Sequence, residues 1–132
     1  MKEGWFGEDH FILFDEKESA LATEEYCFFN YLDGFQVVGL LGWDDFIVSD
    51  GLKFYTIPSV PIVSEYLEKI HEENLPTDLE HDERFSGKIK WYTTPIVFGG
   101  DPNSEENMVW VSHKQHRELV NYWNKQYRKA KA

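Results

Sequence analysis

Residues 88–127 read KIKWYTTPIVFGGDPNSEENMVWVSHKQHRELVNYWNKQY, and they predict a strand, a glycine turn, a second strand and a closing helix. The first strand is expected within residues 88–98, which are rich in β-branched and aromatic side chains. It ends at the turn-forming residues 99–104. The apolar run Met108–Val111 predicts the next strand, so this part of the chain should close the core.

The closing helix is expected to begin at Ser112. Gln115 follows three residues later, and in this spacing each side chain satisfies the free backbone N–H of the other residue. Apolar residues then recur at steps of three and four, namely Leu119, Val120, Trp123 and Tyr127. We expect the helix to cover the sheet with this face.

The first third of the chain predicts a strand, a helix and another strand. Residues 11–14 are a short apolar run, and Asp15 followed by Glu18 marks the start of a helix of about three turns. The glycine-interrupted apolar run at 35–41 is consistent with a strand that is buried on both faces.

The middle of the chain predicts a hairpin. The apolar runs 46–48 and 52–57 flank an Asp-Gly pair at 50–51, which favours a tight turn because both of its central residues must tolerate positive φ. Pro58 and Pro61 should end the second strand, because proline has no N–H for the ladder.

A helix capped by Ser64 is expected next, and residues 65–83 follow as an acidic connector that we expect to be mobile. The resulting order of elements predicts the α+β class. We expect a single domain over residues 1–132, with a mainly antiparallel sheet of about six strands. Helices should pack against one face of it, and a C-terminal helix should cover it.

The composition is that of a folded, strongly acidic protein. Aromatic residues make up 17% of the 132 residues, and 13 Lys and Arg against 24 Asp and Glu give a formal net charge of −11. Residues 113–132 carry +5, which leaves −16 on residues 1–112. Such a charge disfavours nucleic acid and anionic lipid as partners and favours a basic protein.

The compartment is expected to be the cytoplasm. The chain has one cysteine, Cys27, so an intramolecular disulfide is excluded, and the start MKEGWFGEDH lacks the features of a signal peptide. No apolar run approaches the roughly 20 residues of a membrane span. We therefore expect no membrane association.

Three further patterns of the sequence have features of ligand sites. His113 and His116 lie on one side of the predicted helix, as zinc ligands can, but no further ligands are evident. The Gly99-Gly100 pair resembles a phosphate-binding turn, yet acids follow it, so we interpret it as a tight turn. The oxygen-bearing residues at 101–106 do not have the spacing of a calcium-binding loop.

Trp43-Asp44-Asp45 combines an aromatic ring with two carboxylates at a predicted turn. Paired carboxylates can act in general acid and base catalysis, but neighbours on a strand point to opposite faces, which favours a solvated turn. No serine nucleophile motif is present. We expect no catalytic residues and no cofactor.

The motifs YLDGFQVVG at 31–39 and GWDDFIV at 42–48, with the proline-ended strand at 55–60, resemble the middle of SUKH-superfamily proteins. That family includes bacterial immunity proteins of polymorphic toxin systems and a yeast regulator of cell-wall synthesis. The resemblance covers residues 26–62. It implies a SUKH-like, non-enzymatic immunity protein, an antitoxin that neutralises a cationic, nuclease-like toxin.

The expected partner-binding residues are Trp43, Asp44 and Asp45 from the resemblance, with Asp101, Glu105 and Glu106 added on charge and predicted exposure. One alternative is a small enzyme or ligand-binding domain with a pocket near the Gly99-Gly100 turn. Another is an obligate oligomer, such as a homodimer, in which exposed aromatic side chains meet their own copies.

Overall fold

The computed structural model describes residues 1–72 and 74–131, which form two antiparallel sheets and three α-helices. The six strands of the larger sheet lie side by side in chain order: β1 (Lys2–Phe6), β2 (Asp9–Leu13), β3 (Gln36–Leu41), β4 (Asp45–Ser49), β5 (Phe54–Pro58) and β6 (Glu68–Lys69). The smaller sheet pairs β7 (Ile89–Tyr92) with β8 (Met108–Val111). The helices are α1 (Glu16–Glu25), α2 (Phe28–Tyr31) and α3 (His113–Lys131).

The predicted α+β class is confirmed, and one cluster of buried side chains joins both sheets. Phe46 of β4 and Trp91 of β7 belong to this cluster, together with Val120 of α3. The C-terminal helix therefore closes the core as expected, because its buried side touches residues that both sheets contribute.

Two of the three helix starts that the sequence predicts are confirmed, those at Asp15 and Ser112. The Asp15 carboxylate accepts a hydrogen bond from the Glu18 N–H at 2.8 Å, and Glu18 accepts one from the Asp15 N–H at 2.9 Å. Ser112 and Gln115 make the same reciprocal pair before α3, at 3.1 and 2.9 Å. These signals are local, so they do not depend on what the helices pack against.

Strand β1 and the short helix α2 were not expected from the sequence. The KEGWF segment of β1 pairs with β2 through a turn at Gly7, which has a φ of +64°. Its outer edge pairs with Glu80, whose N–H donates to the Trp5 carbonyl at 2.8 Å and whose carbonyl accepts from the Trp5 N–H at 2.7 Å. The strand is thus held from both sides, although its own sequence is a weak strand signal.

The hairpin between β4 and β5 is confirmed, but its turn is wider than expected. The loop spans residues 50–53, and only Gly51 has positive φ. The Asp50 carboxylate accepts hydrogen bonds from the N–H groups of Leu52 and Lys53, both at 2.9 Å. Side-chain capping of this kind replaces the two-residue turn and leaves Leu52 exposed in the loop.

The prediction of a helix after Ser64 is wrong. Only a three-residue 3₁₀ turn forms at Ser64–Tyr66, and the chain then pairs with β5 as β6. The Ile70 N–H also bonds to the Phe54 carbonyl at 2.9 Å. The open edge of β5 offers backbone partners there, and a solvated helix would leave them unpaired.

The acidic connector 65–83 is bonded to the sheet at both of its ends, which differs from the mobile segment that we expected. Its start forms β6, and near its end Asp82 accepts a hydrogen bond from the Trp5 indole N–H at 3.1 Å. One of its eight acids, Glu73, lies outside the described residues.

The strand expected over residues 88–98 is shorter than the pattern suggests. It ends at Tyr92, and Pro95 precedes a 3₁₀ turn at Ile96–Phe98. The Gly99 turn is confirmed, with a φ of +93°. Proline cannot donate to the ladder, which explains why β7 stops before the apolar run does.

Candidate functional site

A groove of about 340 Å³ lies where the two sheets meet. One wall is the β3–β4 turn with Asp45, the second is residues 58–61 after β5, and the third is β7 with residues 95–97. Tyr66 stands at the rim. The groove therefore contains the three residues that the family resemblance singles out.

The backbone of the β3–β4 turn is unusual because Trp43 adopts a left-handed conformation. Gly42 has a φ of +59° and Trp43 a φ of +62°, and a side chain other than glycine costs about 1–2 kcal/mol there. The Gly42 N–H bonds to the His10 carbonyl at 2.7 Å. Strain of this kind is retained where surrounding contacts over-determine it, often at functional sites.

Those contacts come from an aromatic cluster under the groove. Trp43 stacks on His10 with 4.3 Å between ring centroids, and the edges of Trp5, Phe85 and Trp110 surround it at 5.2–5.8 Å. Trp43 is only 9% exposed. Its ring supports the floor of the groove, although the sequence suggested an exposed anchor.

The two carboxylates of the turn have different surroundings, although both line the groove. The Asp44 carboxylate lies 3.1 Å from the Lys90 ammonium group, which joins the turn to β7. Burial raises the pKa of Asp44, and Lys90 partly offsets that effect. This ion pair ties the larger sheet to the smaller one.

Asp45 has no ion-pair partner within residues 1–72 and 74–131. Burial raises the pKa of its carboxyl group, and the negative charges of Asp44 and Glu68 raise it further. A half-buried carboxylate without a cation is costly, so this position favours a positively charged ligand group.

The proline-containing wall of the groove is fixed to α3 by one side chain. Asn124 accepts a hydrogen bond from the Ile62 N–H at 2.7 Å and donates one to the Ser59 carbonyl at 2.8 Å. The segment between them contains the cis bond before Pro61. The wall is therefore held by a buried, fully engaged amide.

The rim of the groove is apolar and exposed. Tyr66, Ile96 and Val97 are 46%, 51% and 43% exposed. Large apolar side chains that remain exposed around a concave site are typical of surfaces that receive a partner.

A second, smaller pocket of about 210 Å³ adjoins the groove. Asp45, Pro58 and Tyr66 line both of them, and the second pocket adds the carboxylates of Glu65 and Glu68. The second pocket is thus more acidic than the groove that it adjoins.

The other expected binding residues lie elsewhere. Asp101, Glu105 and Glu106 are exposed on the connection between β7 and β8, and they do not line the groove. The wall formed by residues 95–97 ends just before the Gly99-Gly100 turn, where the alternative hypothesis placed a pocket.

Sequence reasoning missed Lys90 and Tyr66. Lys90 alternates with the buried Ile89 and Trp91 along β7, and this pattern could have placed its side chain on the opposite side of the strand. Tyr66 gave no such signal, because its segment was expected to be helical.

The described part of the chain contains no group of three or more His, Cys, Asp or Glu side chains arranged to hold a metal ion. His116 is buried and shares a 2.6 Å hydrogen bond with the Tyr26 hydroxyl. His116 thus has a role in the core.

Comparisons with protein-family models, with curated proteins and with solved structures found no match for this chain. Among the described helices, none is long and apolar enough to cross a membrane.

Proposed function

We propose that this protein is a non-enzymatic binding protein of the immunity type, which neutralises a cationic, nuclease-like toxin domain by binding it across the groove. The observation that carries the proposal is Asp45, a half-buried carboxylate with no ion-pair partner among the described residues, inside a groove with an exposed apolar rim.

The composition of the groove supports a protein partner. Aromatic and apolar residues at the centre of an interface supply most of the binding energy, while charges steer the encounter and set specificity. Ile96 and Val97 on the rim are apolar and would contribute binding energy, while the charge of Asp45 would contribute steering and specificity. The net charge of −11 favours association with a basic surface.

The immunity role rests on the SUKH resemblance over residues 26–62, because the groove by itself indicates only a basic partner. The β3–β4 turn inside that range forms one wall of the groove. We propose on the same basis that the protein is bacterial, that it is located in the cytoplasm and that its partner is a toxin.

The gene immediately upstream is the first source of a partner to test. We expect the C-terminal domain of its product to be retained by the purified acidic chain at low salt and released at high salt, since opposite charges attract less when they are screened. A neighbouring metabolic gene whose product is not retained would reject the immunity role.

Asp45→Asn should weaken the binding of that toxin domain about tenfold, because it removes the unpaired carboxylate and keeps the shape of the side chain. Glu24→Gln is the matched control, since it removes one exposed acid of α1 outside the groove and should change the Kd less than about twofold. Calorimetric titration of both variants checks this. Equal effects of the two substitutions would contradict the role of the groove.

A small-molecule site is the second candidate, because a volume of about 340 Å³ falls within the range of ligand pockets. The apolar rim and the Asp44–Lys90 ion pair favour the protein partner, since the pair already engages one of the two carboxylates. If the toxin domain is not retained, cationic metabolites should be screened for binding to the unsubstituted chain and to Asp45→Asn. A metabolite that binds only the unsubstituted chain would support this candidate.

A further inference from the structure

We propose that the groove receives one arginine side chain of the partner protein, inserted between the ring of Tyr66 and the carboxylate of Asp45. This inference rests on the proposed function, since it names the group that the groove binds.

The position follows from the residues that the two cavities share. Asp45, Pro58 and Tyr66 line both the groove and the smaller acidic pocket, so their side chains form the boundary that the two cavities share. Tyr66 belongs to a 3₁₀ turn whose backbone is fixed by a bond from its N–H to the Val63 carbonyl at 3.1 Å. A partner side chain that lies at this boundary would contact the apolar groove on one side and the carboxylates of the pocket on the other.

The charge at this boundary favours a cation. The acidic pocket is lined by Asp45, Glu65 and Glu68, and no Lys or Arg of the described residues lines it. Lys90 lies in the groove but is paired with Asp44 at 3.1 Å. Three carboxylates therefore line the smaller pocket, and a guanidinium group placed there would neutralise part of their mutual repulsion.

The aromatic wall favours arginine over lysine. A guanidinium group is planar, stacks on aromatic rings and donates two parallel hydrogen bonds to a carboxylate, while an ammonium group is a strongly hydrated point charge. Tyr66 supplies a half-exposed ring and Pro58 a flat apolar surface beside Asp45. The methylene stem of arginine would pack along the apolar part of the groove.

The test uses N-acetyl-arginine amide, and its lysine and citrulline counterparts, as probes. Each is titrated at low salt into the ¹⁵N-labelled full chain while the backbone amide resonances are followed. Citrulline keeps the length of arginine but has no charge. We expect the arginine probe to shift the amides of Asp45, Tyr66 and Glu68, the lysine probe to bind about threefold more weakly, and the citrulline probe to have no effect.

A matched pair of double variants separates this site from general acidity. Glu65→Gln with Glu68→Gln removes two exposed acids in or beside the 3₁₀ turn at Ser64–Tyr66, and Glu16→Gln with Glu24→Gln removes two exposed acids of α1, which lines neither cavity. The first pair should weaken binding of the arginine probe about tenfold, and the second less than about twofold. Equal losses, equal responses to arginine and lysine, or a response to citrulline would overturn the inference.

The outcomes also separate this inference from the proposed function. A toxin domain that is retained by a chain showing no arginine response would reject the arginine site and leave the proposed function standing. An arginine response at Asp45 and Tyr66 without a retained toxin domain would support the site and reject the immunity role.

Discussion

His116 is an imidazole enclosed in the core between two aromatic rings and one hydroxyl group. The rings of Tyr26 and Trp91 lie edge-on to it at 5.5 and 5.4 Å, and its Nδ1 is 2.6 Å from the Tyr26 hydroxyl oxygen. Burial lowers the pKa of His116 to about 3, and the neighbouring charges of His113 and Arg117 act in the same direction. The folded chain therefore holds this side chain neutral.

This burial predicts that the protein loses stability in mild acid. Between pH 6.5 and about 3 the unfolded chain binds a proton at His116 that the folded chain does not. The free energy of unfolding should thus fall by about 1.4 kcal/mol per pH unit below 6.5 for this histidine. His10 and His113, whose pKa values burial also lowers, add to the effect. Urea unfolding between about pH 7.5 and 5.5 measures it.

The control is His116→Gln. This variant should take up one proton fewer on unfolding in mild acid, while the contributions of the other histidines to the pH dependence remain. The pH window lies above the usual range of carboxyl groups. This matters because the raised pKa values of Asp44 and Asp45 would stabilise the fold as the pH falls further. An NMR titration in which the native His116 ring protonates near pH 6.5 would contradict the prediction.

At the scale of elements, α3 holds the groove as well as the core. Its Asn124 bonds to both ends of the segment that forms the proline wall, and Arg128 lies within 3.4 Å of the Ile62 carbonyl. The face that touches the core was expected to be apolar throughout, but its most buried residues are His116, Val120 and Asn124. Helix periodicity identified the buried side, and tertiary contacts account for its polar residues.

Asn124→Ala should destabilise the fold by about 2–4 kcal/mol, because the buried Ile62 N–H and Ser59 C=O lose their partners. It should also weaken partner binding by loosening the wall. Asn121→Ala is the control on the same helix, where one bond to the Glu25 carbonyl is lost and about 1 kcal/mol is expected. Chemical denaturation of both variants checks the difference, and equal losses would show that Asn124 has no special role.

At the scale of the whole molecule, the acidic connector returns to the first strand and protects its outer edge. Trp5 and Glu80 exchange two backbone hydrogen bonds, and Glu3 accepts hydrogen bonds from the Ser86 hydroxyl and the Gly87 N–H at 3.0 and 3.1 Å. An unpaired edge strand is a hazard for aggregation, so this closure is useful to the fold.

Gly4→Ala should open this closure. A Cβ at Gly4 would lie 2.5 Å from the Glu80 carbonyl oxygen, closer than backbone atoms allow, so the connector must shift. We expect the amides of Trp5 and Glu80 to exchange hydrogen faster while the β3–β4 ladder stays protected.

Gly7→Ala is the control, because nothing lies within 4 Å of its Cβ position. Its φ of +64° makes alanine cost about 1–2 kcal/mol, but the contact with Glu80 is retained. If both variants exchange alike at Glu80, the steric explanation is wrong.

Much of this architecture follows from signals within a few residues of each other. The capping pairs at Asp15 and Ser112 and the position of the hairpin at Gly51 are predicted correctly, because caps and turns are made by neighbouring residues. The α+β class and the acidic character of the surface follow from the same local patterns and from composition.

The groove, in contrast, depends on contacts between distant parts of the chain. Asp44 meets Lys90 and Asn124 meets Ile62, pairs that are 46 and 62 residues apart in the sequence. Local patterns contain no information about such pairs, so Trp43 was expected at the surface, and β6 was expected to be a helix. The aromatic cluster around Trp43 buries that side chain, and the open edge of β5 pairs with residues 68–69 to form β6. Burial and backbone pairing outweigh the weak conformational preference of a short segment.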